Sequence, residues 1–193
     1  MYRASILFML MGLLLSACAA SPAQGGSLQS PVTAAPDQSS VSDLPDLGPA
    51  PELTNDVWIN SPQPLRLAGL RGKVVLLEMW TFGCINCQNT LSTVKDWYAR
   101  YADHELVVIG NHYPEFSYER DLTNLKAAVQ SAGILYPVAQ DNDGVTWRAF
   151  DNLYWPTMYL IDKRGHLRYT HIGEGAYATT EQAIQSLLAE KEE

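Results

Sequence analysis

Two cysteines stand two residues apart in "WTFGCINCQNTL", residues 80–91. At this spacing Cys84 and Cys87 could be half of a metal clip, a structural disulfide, or a dithiol that trades electrons. A structural zinc site wants four nitrogen or sulfur ligands. His112 or His171 could complete one, but no second Cys or His pair stands at ligand spacing. A staple across so short a loop removes little entropy from the unfolded chain. The redox pair is left as the leading reading, with no metal or cofactor called for. A carboxylic acid, Glu78, lies six residues before Cys84 in an otherwise apolar run. A buried unpaired carboxylate is costly, so an acid in such a place tends to be neutral or functional.

The elements around these residues follow from pattern. "KVVLLEMW", residues 73–80, is a continuous apolar run broken by one acid, which suggests a strand buried on both faces. After it, Leu91, Val94, Trp97, Tyr98 and Tyr101 recur at helical spacing. Cys84 therefore falls at a helix N-terminus, where unpaired N–H groups and the helix dipole favour a thiolate. That makes Cys84 the expected nucleophile. Cys87, one turn on and shielded, is the expected resolving thiol, and attack by it leaves the pair oxidised. A second buried strand is expected over residues 105–110, and a helix from "ERDLTNLKAAVQSAG" ending at Gly133. "YPVAQD" reads as a short strand and "GVTWRAFD" as a helical turn. "DNDG" lacks the closing Glu of a calcium loop and reads as a turn. "PTMYLID" and "HLRYTHIG" form a hairpin about "DKRG". A last helix, "TTEQAIQSLLAE", offers Thr179 and Gln182 as a capping box. The order β-α-β-α-β-(α)-β-β-α argues an α/β domain, a mixed sheet with helices on both faces.

The N-terminus is of another kind. "MYRASILFMLMGLLLSAC" has a basic start at Arg3 and an apolar core too short for a bilayer crossing of roughly 20 residues. Residues 1–17 have the layout of a secretory signal. "LSAC" resembles a bacterial lipobox, which implies lipidation of Cys18 and a bacterial, extracytoplasmic, membrane-anchored protein. Residues 18–51, rich in Ser, Pro, Ala, Gly and Gln, are expected to form a disordered tether. Residues 52–193 hold about 140 residues with spread aromatics, enough for one domain. The net charge of −8 and the lack of a basic patch speak against a nucleic-acid partner.

The strand, the W-x-x-x-C-x-x-C opening a helix, the Pro-led strand and the hairpin together resemble the thioredoxin fold. "WTFGCINCQNTL", "HYPEFSYERD", "YPVAQDNDGVTWRAF", "YWPTMYLID" and "GEGAY" resemble more closely the thioredoxin-like domain of DipZ-type proteins, related to the TlpA and ResA extracytoplasmic thioredoxins. The resemblance covers residues 52 to about 190. It implies a thiol–disulfide oxidoreductase with a redox-active Cys84–Cys87 disulfide, and a proton relay at Glu78 to or from the resolving thiol. It also implies that Trp155, Pro156 and Thr157 match the family's cis-proline loop, beside the cysteines. There a free backbone edge at residue 155 would pair with a substrate segment, and the proline would deny the cysteines a metal. "NHYPEF", residues 111–116, is expected as a loop on the same rim, with His112 exchanging protons or meeting substrate and Glu115 touching a partner. DipZ-type proteins carry a thiol transporter of the CcdA type before this domain. A lipid anchor and tether are read in its place here, so the expected electron donor is a separate CcdA-like membrane protein.

Exported proteins meet an oxidising environment, so a dedicated reductant is the scarcer function. The expected clients are exported thiol or disulfide proteins, cytochrome c precursors among them. Three rivals compete with this reading. A thiol peroxidase would use Thr81-x-x-Cys84, but Leu77 stands where that motif needs proline. A copper-handling thioredoxin-fold protein usually spaces its cysteines by three and adds a histidine. An anchored binding module would be indifferent to Cys84→Ser.

Overall fold

The computed structural model describes residues 44–191. The expected signal segment, Cys18 and most of the expected tether lie outside them. The first half of the domain runs β1 (Trp58–Ile59), β2 (Val74–Trp80), α1 (Ile85–Tyr101), β3 (Leu106–His112) and α2 (Leu122–Ser131). The second half runs β4 (Val138–Gln140), α3 (Val145–Ala149), β5 (Thr157–Ile161), β6 (Leu167–Ile172) and α4 (Tyr177–Ala189). The strands form one sheet in the order β1-β4-β3-β2-β5-β6. β2, β3 and β4 are parallel, while β1, β5 and β6 join antiparallel. This is the mixed sheet expected from the sequence.

β2 lies at the centre, and all seven of its residues are buried. Its side chains alternate between two cores, as the pleat requires. Val74, Leu76 and Trp80 join Val94, Trp97, Leu125, Ile184 and Leu187, from α1, α2 and α4. Val75, Leu77 and Met79 join Ile109, Tyr159 and Ile161, with Trp147 of α3 and Leu53 and Leu67 from the segment before β2. Glu78 shares the parity of Leu76 and Trp80, so its carboxyl enters the core under α1. Removing any one of these large side chains would cost about 2–5 kcal/mol.

The helix ends show which local signals held. α2 closes at Gly133, with φ +61°, by bonds from Gly133 N–H to Gln130 C=O and from Ile134 N–H to Val129 C=O. α4 departs from expectation. It begins at Tyr177 behind Ala176, which has φ +47°, with no side-chain cap. Thr179 is thus already inside the first turn and cannot cap it. "DNDG" is a turn, and the Asp141 carboxylate accepts the N–H groups of Val145 and Trp147, both at 2.8 Å, to start α3.

Two boundaries moved. Residues 44–51 were expected in the tether, yet they dock on the hairpin. Leu47 N–H donates to Leu167 C=O at 2.8 Å, and Leu167 N–H returns to Gly48 C=O at 2.9 Å. The Arg168 guanidinium donates to the carbonyls of Leu44 and Pro45 at 2.8 and 3.1 Å. Ladder bonds, which composition does not reveal, order this segment. β3 also runs on through Asn111 and His112, both fully buried, instead of stopping at Gly110. Asn111 is held by Asn55 and Asp141 at 3.2 and 3.1 Å, so a polar pair continues a strand that reads from sequence as a loop.

Candidate active site

The loop from Trp80 to Cys84 leaves the end of β2 and turns at once into α1. Cys84 N–H donates to Thr81 C=O at 3.3 Å, closing the turn. Cys84 then takes the N-cap position, and its Sγ accepts the Cys87 N–H at 3.3 Å. The first thiol is half-buried and the second fully buried. The helix thus gives the outer sulfur an unused N–H and hides the inner one.

Burial pushes the Cys87 thiol well above the ordinary thiol range. Its hydrogen bond with Cys84 and the charges of Cys84 and Glu78 add to this, while the Thr81 backbone N–H opposes it. Glu78 is fully buried, and burial lifts its carboxyl from 4.5 to about 7. Two hydroxyls work against that rise. Thr90 Oγ1 donates to Oε1 at 3.0 Å, and Tyr136 Oη donates to Oε2 at 3.4 Å. Burial, then the Glu78 charge, pushes the Tyr136 phenol well up in turn. Thr90 Oγ1 also lies 2.8 Å from Cys87 C=O. A hydroxyl has one proton to give. With Glu78 protonated, its O–H can serve Thr90 while Thr90 serves the carbonyl; with Glu78 ionised, both acceptors compete for one donor. Thr90 thus links the backbone of the inner cysteine to the Glu78 carboxyl.

His112 is not on an open rim. It ends β3 opposite Trp80, is fully buried, and Thr81 Oγ1 lies 3.1 Å from its Nε2. Phe82 stacks on its ring at 5.3 Å. Burial lowers its pKa from 6.5 to about 4, with the Glu119 charge pulling the other way. The ring, expected on the rim, therefore lies behind the loop and supports Thr81 and Phe82. The same bond engages the Thr81 hydroxyl of the Thr-x-x-Cys echo with His112. Among the described residues, no group of three or more His, Cys, Asp and Glu side chains is placed to hold a metal.

The Trp155–Pro156 peptide is cis. Thr157 opens β5 opposite Met79, so this loop leaves the sheet at the same end as the cysteine loop. The Trp155 indole N–H donates to Tyr113 C=O at 3.1 Å, and the ring packs on Trp147 at 4.6 Å and Tyr113 at 5.8 Å. Thr157 Oγ1 donates to Tyr154 C=O at 2.9 Å.

Three residues at the site carry no signal in the sequence. Thr90 lies in the expected helix and Tyr136 in the expected strand "YPVAQD", with nothing to single out either. Glu119 opens "ERDLTNLKAAVQSAG", expected as a helix, yet it lies before α2, is fully buried and faces the cysteine loop.

Comparison with known proteins agrees with this geometry. The AhpC/TSA family matches residues 48–170. The chain is 43% identical over 148 residues to protein DipZ of Mycobacterium bovis, covering 75% of this chain and 21% of that protein. It thus spans about a fifth of the length of that curated relative. It is 30% identical over 145 residues to the thiol-disulfide oxidoreductase YkuV of Bacillus subtilis, covering 75% of this chain and 97% of that one. A crystal structure of a thioredoxin-like superfamily protein superposes with a TM-score of 0.70 at 30% identity, covering 75% of this chain and 98% of that one.

Proposed function

This chain belongs to the AhpC/TSA family as a thioredoxin-like thiol–disulfide oxidoreductase, and from that premise we propose that it is a membrane-anchored extracytoplasmic reductant of disulfides in exported proteins. One observation supports the chemistry: the inner thiol is fully buried, Glu78 is buried with it on the hydroxyls of Thr90 and Tyr136, and the outer thiol caps a helix.

The steps follow from the placement. The Cys84 thiolate attacks one sulfur of a client disulfide. The client S–S bond breaks, a Cys84–client mixed disulfide forms, and the other client sulfur leaves as a thiolate. The Cys87 thiol is held protonated by its surroundings and needs a base. The Glu78 carboxylate takes that proton, and Cys87 Sγ attacks Cys84 Sγ. The mixed disulfide breaks, the client leaves fully reduced, and Cys84 and Cys87 are joined. Two electrons have passed to the client, and the proton on Glu78 returns to solvent or to the departing thiolate. Trp155, Pro156 and Thr157 form the wall along which the client segment lies.

Recharging the pair takes two electrons from a CcdA-like thiol transporter in the membrane. Similarity to the thiol-disulfide oxidoreductase YkuV supports the chemistry, and the DipZ resemblance supports the location and direction. Cytochrome c precursors before haem attachment are candidate clients. Anchoring falls to Cys18, so Cys18→Ala should move the protein from the membrane pellet to the soluble fraction, and retention in the pellet would contradict it. Direction is tested by the equilibrium potential of Cys84/Cys87 against glutathione. The expected value is more negative than about −200 mV, and one near −120 mV would mark an oxidant.

A further inference from the structure

We infer that Glu119 is a positioning residue for attack by Cys84: its carboxylate holds the Gly83 peptide, next to the nucleophile, against the turn at residues 115–120. The inference rests on Cys84 being the attacking thiol.

Glu119 is fully buried, and its two oxygens are shared between two segments. Oε1 accepts the Gly83 N–H at 2.7 Å. Oε2 accepts the N–H groups of Glu115 and Phe116 at 2.6 and 2.8 Å. A buried carboxylate is costly unless its lone pairs are met, and three peptide donors meet them here. These donors come from the residue before Cys84 and from residues more than thirty positions later in the chain. The side chain is therefore a bridge as well as a local cap.

Gly83 shows the same contact from the other side. A Cβ built on it would lie 2.4 Å from Glu119 Oε1 and 2.8 Å from Tyr118 Oη. Its backbone is not among the positive-φ glycines. The position needs glycine for space, because the carboxylate occupies the place of a side chain. Tyr118 packs on Phe82 at 5.7 Å, so the same turn also covers the residue before Gly83. The loop carrying Cys84 is thus held by His112 from behind and by the Glu119 turn from the side. A thiol must meet a disulfide nearly in line, and a 1 Å misplacement can cost about 10²-fold in rate.

Glutamine tests the bridge because it has one oxygen and cannot accept on both sides. Full-length wild type, Glu119→Gln, Gly83→Ala and the double variant are compared in two assays, with thermal midpoints recorded. One is the rate of insulin disulfide reduction, and the other is the second-order rate of Cys84 alkylation by iodoacetamide, read by mass spectrometry. Asp121→Ala is the control, since it removes the α2 cap on Thr123 and Asn124 without touching Gly83. Each single variant should slow insulin reduction by about tenfold and change Cys84 alkylation by at least about threefold. The double variant should do no worse than the more damaged single one, because both break one contact. Asp121→Ala should lower the thermal midpoint and leave both rates alone. Unchanged rates in folded Glu119→Gln, or losses that add in the double variant, would overturn the inference. Should Glu119→Gln fail to fold, folded Gly83→Ala decides on the same rates. Alkylation needs no client or electron donor, so it still decides the matter if wild type proves inactive on insulin, a result that would instead count against the proposed function.

Discussion

Two buried carboxylates flank the cysteine loop, and they are furnished in opposite ways. Glu119 meets three backbone N–H groups, and Glu78 meets two hydroxyls in an apolar core. Peptide donors are fixed in direction, and a side chain bound to three of them can do little but hold. Hydroxyls rotate and can either give or accept a proton. The Cys84 side of the loop is held by fixed peptide donors, and the proposed proton transfer belongs to the Cys87 side, where the donors can turn. Burial alone decides neither role; the donors around the carboxylate do.

The hardest way to break this comparison is to remove the outer sulfur. Cys84→Ser should cut disulfide reduction by about 10³-fold or more, since the nucleophile itself is lost. Full disulfide reduction in that variant would contradict Cys84 as the nucleophile. Glu78→Gln comes next. It should slow release of the mixed disulfide by about 10²-fold, the usual scale of acid–base assistance. It should also erase a rise of the wild-type rate as pH passes about 7, where Glu78 becomes a base. Stopped-flow release of a trapped client peptide across that range reads both.

Stability against pH sharpens the contrast further. Glu78 has a folded pKa raised from 4.5 to about 7. Its contribution is full below 4.5 and lost as pH rises through about 7, a change of about 3 kcal/mol. His112 has a folded pKa lowered from 6.5 to about 4. Its contribution is full above 6.5 and lost as pH falls through about 4, again about 3 kcal/mol. The two slopes oppose each other between 4.5 and 6.5, so each masks the other in wild type. Urea unfolding should show stability rising with pH over that window in Glu78→Gln and falling with pH in His112→Asn. Flat curves in both variants would contradict the two assignments. The smallest effect belongs to Tyr136→Phe, which removes one donor from Glu78 and should raise its midpoint by less than about one unit. A 13C-labelled Glu78 carboxyl titration would read it.

Much of this was legible before the structure. The apolar run of β2, the helical spacing of α1 and the cysteine pair between them placed Cys84 at a helix cap. Glu78 stood out because an acid breaks an otherwise apolar strand. Other features were hidden for a physical reason: they depend on pairing across long sequence separation. Glu119 looks like the first residue of a helix until β3 and the turn after it bring it to Gly83. His112 and Asn111 look like loop residues until Thr81 and Asp141 bond to them. Residues 44–51 have a linker's composition until β6 and the turn before it give their backbone partners.

The asymmetry of the two thiols is tested most directly by trapping. Cys87→Ser and Cys84→Ser are expressed in cells, free thiols are blocked in acid, and mixed disulfides are counted on non-reducing gels. Cys87→Ser should accumulate client adducts, because Cys84 still attacks and nothing resolves the product. Cys84→Ser should accumulate almost none, because its remaining thiol is buried and held protonated. Equal trapping by both variants, or more by Cys84→Ser, would contradict the assigned roles.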